Sequence, residues 1–146
     1  INADVALLKL TTPIKEKNVR TIRLEYTDPK AGDMVQVSGW GVISNQALVA
    51  SNQLRTVKVK VVERKLCRRL YAQKRNITEG MFCADIPGKR DSCKADSGGP
   101  AVLNGKLVGV VSWGLGGKCA TANYPGVYAL LKHFKSWIQT IVDKEC

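Results

Sequence analysis

The 146-residue chain is 45% apolar with no long polar tract, a composition that suits one folded domain with a real core and excludes a disordered one. No apolar run approaches the roughly 18 residues of a membrane span, so no bilayer-crossing segment is expected. Lys and Arg number 23 against 12 Asp and Glu, a formal net charge of +11.

Five cysteines in so small a chain lean towards an oxidising, extracellular compartment. None of them has C-x-x-C spacing and there is a single histidine, so neither a metal nor another cofactor is expected. Residue 1 is Ile and no charged-then-apolar leader precedes it, so no signal peptide is expected within this chain.

In chain order, Val5 to Leu10 is apolar enough for a strand buried on both faces. Met34 to Trp40 alternates, then breaks at Gly39 and Gly41. Leu54 to Val62 predicts the clearest strand: Val57, Val59 and Val61 face inward while Lys58 and Lys60 face water. Nine basic residues fall between Arg55 and Arg75, opposed only by Glu63; such a face can hold a heparin-like polyanion, and otherwise it is a solvated surface. Without an RNA-binding aromatic signature or zinc-finger spacing, nucleic acid is not an expected partner.

Ala101 to Leu103, Asn104-Gly105 and Leu107 to Val111 read as a hairpin with an Asn-Gly turn. Val127 to Leu131 predicts one more strand. Phe134, Trp137, Ile138 and Ile141 recur at helical spacing, so Lys132 to Asp143 predicts an amphipathic helix. Short strands at this spacing suggest an all-β barrel or sandwich in one compact unit.

The run Asp91-Ser-Cys-Lys-Ala-Asp-Ser-Gly-Gly-Pro100 places a serine in a glycine-rich turn beside a cysteine. A serine hydroxyl attacks only when a base takes its proton and N–H donors receive the developing charge. The run resembles the nucleophile loop of the chymotrypsin/trypsin family of serine proteases, D-S-C-x-G-D-S-G-G-P, and departs from it only at Ala95. Five further segments are similar to the family's motifs in the family's order: Asn2-Ala-Asp-Val-Ala-Leu-Leu-Lys-Leu10, Ser38-Gly-Trp-Gly41, Ile77 to Cys83, Ser112-Trp-Gly114 with Pro125-Gly-Val-Tyr128, and Trp137-Ile138.

The resemblance spans nearly all of residues 1–146 and implies a partial protease domain. This would be the C-terminal Greek-key β-barrel with its closing helix, plus the strand bearing the triad aspartate. The N-terminal barrel, the catalytic histidine and the N-terminus made by zymogen cleavage would lie outside this chain. His133, at the start of the terminal helix, is expected to be a helix-surface side chain.

The family's roles carry over as follows. Ser97 would be the nucleophile and Asp4 the acid that orients the histidine. Backbone N–H groups of Ala95 and Ser97 would form the oxyanion hole. Asp91 would floor the substrate pocket and pair with Arg or Lys of the substrate. Ser112, Trp113, Gly114 and Gly126 would line the pocket and its neighbouring subsites. Asp96 would be the acid of the activation ion pair.

Cys67–Cys83 and Cys93–Cys119 would be disulfides, with Val35 and Leu103 where a further family bridge is absent and Cys146 left over. Asn76-Ile-Thr78 is a glycosylation sequon. Expected partners are protein and peptide substrates and protein protease inhibitors.

Ala95 stands where the family has glycine; loss of that oxyanion donor would cost about 2.7–4 kcal/mol. Two functions therefore compete: a secreted trypsin-like endopeptidase, and a non-catalytic protease homologue that binds partners. An α/β-hydrolase, suggested by the near match of Ala95 to Gly99 to G-x-S-x-G, is disfavoured by the strand-like Ala101 to Leu103 after the serine and by an acid that precedes it.

Overall fold

The computed structural model describes residues 2–41, 50–85, 96–115 and 124–145. Among these described residues seven strands and two helices follow in the order β1 (Arg23–Leu24), β2 (Met34–Gly39), β3 (Arg55–Val62), α1 (Arg64–Tyr71), β4 (Met81–Asp85), β5 (Pro100–Leu103), β6 (Lys106–Trp113), β7 (Gly126–Leu130) and α2 (Leu131–Glu145). Strands β2 to β7 form an antiparallel ring, closed where β6 pairs with β7. The short β1 lies outside the ring and runs parallel to β6. This is the expected all-β barrel with a C-terminal helix.

The β3 alternation has its predicted consequence. Val59 and Val61 are buried beside a half-buried Val57, while Lys58 and Lys60 are exposed. Strands β4 and β7 are buried on both faces, for a reason that the two-residue period makes plain. Phe82 and Ala84 of β4, with Tyr128 and Leu130 of β7, point into the barrel against Val35, Val37, Val59 and Val61. Met81 and Cys83, with Val127, point outward against Cys67, Tyr71 and Ile77. Helix α1 thus roofs a second, smaller core on the barrel's outer surface.

A disulfide ties the roof down: Cys67 of α1 is bonded to Cys83 of β4, as expected. The Tyr71 hydroxyl donates to the Pro125 carbonyl at 2.7 Å from within the same core. Ion pairs brace the rim, where Arg64 reaches Asp28 at 2.9 Å and Glu79 at 3.2 Å, Arg68 pairs with Glu79, and Lys132 of α2 reaches Asp28 at 2.8 Å. Partial burial pushes the Asp28 carboxyl up, but the hydrogen bonds and charges of Lys132 and Arg64 outweigh it and hold the group below the usual range. Glu79 is lowered chiefly by the hydrogen bond from Arg68 and then by the charges of Arg64 and Arg68.

The β5–β6 hairpin turns at Asn104 and Gly105, whose φ values of 50° and 74° are those of the mirror-image turn that suits twisted strands. Val35 and Leu103 lie one step beyond the paired residues of β2 and β5 and pack with the barrel core.

Two sequence expectations need correction. The segment from Val5 to Leu10 is not a strand, and Leu8 is 89% exposed. A strand buried on both faces needs neighbours on both sides, and among the described residues no strand pairs with it. It instead lines an apolar groove of about 680 Å³ with Ile141 and Val142 of α2, while Lys9 pairs with Glu145 at 3.5 Å. Within α2 the predicted apolar stripe is uneven: Ile138 is buried, Phe134 and Ile141 are half-buried, and Trp137 is exposed. The helix itself runs slightly further in both directions than predicted.

Candidate active site

Ser97 occupies an exposed tight turn, closed by the Gly99 N–H donating to the Asp96 carbonyl at 2.8 Å. Gly98 sits at φ 82°, a backbone state costly for any residue with a Cβ. The turn is fastened to β6 by two bonds: Gly98 N–H donates to the Val111 carbonyl at 2.8 Å, and Val111 N–H to the Gly99 carbonyl at 2.9 Å. The serine thus projects from a hydrogen-bonded extension of the sheet.

One residue further along β6 the register slips. Val111 faces Tyr128 and Trp113 faces Val127, leaving Ser112 as the extra residue of a bulge. Bulges re-aim side chains, and here the strand changes course between a barrel-facing Val111 and a Trp113 packed in the outer core. The hydroxyl of Ser112, a residue only 8% exposed, donates to Oδ2 of Asp4 at 2.5 Å. Asp4 is thereby brought to the strand that fastens the Ser97 turn. The sequence marks Ser112 as a pocket residue, yet nothing in it foretells a partner 108 positions away.

Asp96 points the other way, under the Ser38-Gly-Trp-Gly41 turn. Its Oδ1 accepts the Gly41 N–H at 2.8 Å. A Cβ built on Gly39 would lie 2.0 Å from the Asp96 carboxylate, and one on Gly41 would lie 2.4 Å from it. The two glycines are therefore the space in which this carboxylate sits. The Gly41 amide is thus a partner of Asp96 that its expected place in an ion pair does not foretell.

Trp113 is held edge-on to Tyr71 at 5.2 Å between centroids, and the Arg75 guanidinium lies 5.1 Å from the indole centroid. Among the described residues a Cβ on Gly114 would meet nothing within 4 Å. Gly126 begins β7, buried next to the Pro125 carbonyl that Tyr71 grips. His133 is exposed on α2, where its ring covers Gly80. Among the described residues it makes no hydrogen bond to Ser97, Asp4 or Ser112. Asp91, Ala95, Cys93, Cys119 and Cys146 lie outside the described residues.

A family model described as Trypsin matches residues 1–138. The chain is 41% identical over 138 residues to Seminase of Drosophila melanogaster, covering 94% of this chain and 50% of that protein. It is 42% identical over 146 residues to Trypsin Blo t 3 of Blomia tropicalis, covering 95% and 54%. With Trypsin alpha-3 of Lucilia cuprina it shares 44% over 137 residues, covering 92% and 81%. The chain thus spans about half the length of the first two of these relatives. Among solved structures, neuropsin, a serine protease of mouse brain, superposes with a TM-score of 0.78 at 35% identity, over 85% of this chain and 54% of that one. With the barrel, the fastened serine turn and these matches together, the chain belongs to the trypsin family of serine proteases.

Proposed function

We propose that the chain contributes the C-terminal barrel of a secreted serine endopeptidase that cuts after Arg or Lys. The observation that carries the reading is the bulge of β6, which engages Asp4 through Ser112 one residue from the strand position that fastens the Ser97 turn.

Ser97 Oγ attacks the scissile carbonyl as its proton passes to a histidine outside residues 1–146, oriented by Asp4. The amides of Ser97 and Ala95 receive the oxyanion charge. The amine leaves with that proton, and water then releases the acyl group by the same steps in reverse. Asp91 supplies the charge that selects Arg or Lys, and Gly114, where a Cβ would meet none of the described residues, leaves the way to it free of a side chain. Asp96 serves the activation ion pair. Cys93–Cys119 joins the nucleophile loop to the pocket wall.

Partners on this reading are protein substrates with Arg or Lys at the cut and protein protease inhibitors. A polyanion is the third, on the outer stripe of α1, where Lys65 and Arg69 are exposed without an acidic partner among the described residues. Retention of the full-length protein on immobilised heparin, weakened by Lys65→Glu with Arg69→Glu, tests the last.

The test of the main reading is hydrolysis of Arg and Lys esters by the full-length protein, together with labelling by a fluorophosphonate. Both are expected, and both should vanish in Ser97→Ala. The isolated 146-residue chain should leave the ester at background. A full-length protein that neither cleaves nor labels after processing would sink the proposal.

A further inference from the structure

The loop between α1 and β4 carries Asn76-Ile77-Thr78, which the protease reading leaves without a role. No other asparagine of the chain has Ser or Thr two residues on. Ile77 is 1% exposed in the outer core beside Cys67 and Tyr71, and its carbonyl accepts the Arg68 Nε–H at 2.9 Å. On the helix side, the N–H groups of Lys74 and Arg75 donate to the Tyr71 carbonyl at 2.7 and 3.0 Å. The backbone is thus pinned on both sides of Asn76, while Asn76 itself is exposed.

Loop asparagines ordinarily serve by adopting a left-handed backbone or by hydrogen-bonding the nearby main chain. Asn104 does the first, at φ 50°. Asn76 does neither: among the described residues its φ is not positive and its side-chain amide makes no hydrogen bond. Thr78 is similar. Its Oγ1 is buried without a partner among the described residues, so the hydroxyl adds no bond to the loop. The amide and the hydroxyl that the folded loop leaves unused are the two groups that define an N-glycan acceptor.

The surroundings suit a sugar. A glycan is bulky and hydrated and needs an outlet to solvent. Asn76 lines an open surface cavity of about 390 Å³ with Arg68, Gln73, Lys74 and Arg75. Gln73 and Lys74 are exposed there and bring N–H donors for sugar oxygens.

We propose that Asn76 is N-glycosylated. The donor is an oligosaccharide linked to a lipid diphosphate. Asn76 Nδ2 attacks C1 of its first sugar, and the N–C1 bond forms as the C1–O bond to phosphate breaks. The lipid diphosphate leaves with the electron pair, and a base of the transferase takes one amide proton. The inference rests on the reading of the protein as secreted, because that donor is met in the secretory lumen, and not on its catalytic activity.

The experiment uses full-length protein from animal cells in two forms, one with its own N-terminal sequence and one with an added secretory leader. Each is treated with peptide N-glycosidase in heavy-oxygen water and mapped by mass spectrometry. Both forms are expected to show a downward mobility shift and heavy oxygen at residue 76. Asn76→Gln and Thr78→Ala should each abolish the shift and the label, and Thr78→Ser should keep them. Because the Asn76 amide and the Thr78 hydroxyl make no bond in the fold, these variants should still form Cys67–Cys83, which checks that they fold.

A residue 76 without label in both forms overturns the site. Label found only with the added leader also overturns the proposal, but through the secretion reading rather than through the loop. A label that survives Thr78→Ala overturns it as well, since simple deamidation needs no threonine.

Discussion

The hydroxyl of Ser112 donates to Oδ2 of Asp4 at 2.5 Å, joining the start of the chain to the last strand position before Trp113. Hydrogen bonds to a charged carboxylate are among the stronger ones, about 1.5–3 kcal/mol. If Asp4 orients the catalytic base, Ser112→Ala in the full-length enzyme should lower kcat/KM for an Arg ester by about tenfold or more. Ser112→Thr, which keeps the hydroxyl, should lose much less. Equal losses in the two variants would mean that packing at the bulge matters rather than the bond.

The space beneath Gly39 and Gly41 yields a second expectation. Gly41→Ala drives a methyl into the Asp96 carboxylate and should destabilise by about 2–3 kcal/mol in urea titration, the scale of overpacking in a closed site. Because the clashing atoms all belong to Asp96, combining Gly41→Ala with Asp96→Ala should cost less than the sum of the two single changes. Strict additivity would place the strain elsewhere.

Breaking Cys67–Cys83 frees α1 from β4. The bridge spans a separation of 16 residues, for which chain entropy gives about 3 kcal/mol. Cys67→Ala with Cys83→Ala should lower the urea midpoint accordingly and leave the barrel interior intact, because both cysteines belong to the outer core. Loss of the near-ultraviolet signal of the buried Tyr128 would contradict that division.

The acid side of the stability curve follows from Asp28 and Glu79. Both carboxyls are held below their usual range when folded, so each binds protons more readily when unfolded. Their contribution is present above the unfolded values near about pH 4 and is lost as pH falls through the folded ones. Asp28→Asn should therefore cost about 0.5–1 kcal/mol at pH 7, solvent screening included, and progressively less as pH falls through the folded value of Asp28. A penalty that does not shrink as the pH is lowered would point to packing rather than charge.

Legibility in the sequence follows burial geometry. The β3 strand announces itself because one face is wet and one is dry, and the Asn104-Gly105 hairpin because its turn demands those residues. Helix α1 is invisible to the same reading: four of its eight residues are Lys or Arg, and only Cys67 and Tyr71 are fully buried. The five-residue β4 is buried on both faces, so no alternation betrays it. Motif resemblance singles out Ser97, Asp4 and Asp96 as residues, but not the contacts that tie them in. Ser112 meets Asp4 only through a bulge, and Asp96 meets Gly41 only through a turn 55 residues earlier.

The two bonds between the Ser97 turn and Val111 belong to the same strand that closes the barrel. That turn has no separate melting of its own to undergo. The Gly98 amide, bonded to the Val111 carbonyl, exchanges with solvent only when β6 lets go, and β6 is held on one side by β5 and on the other by β7. The exposed serine is thus as durable as the interior beneath it, and the geometry it presents survives for as long as the ring does.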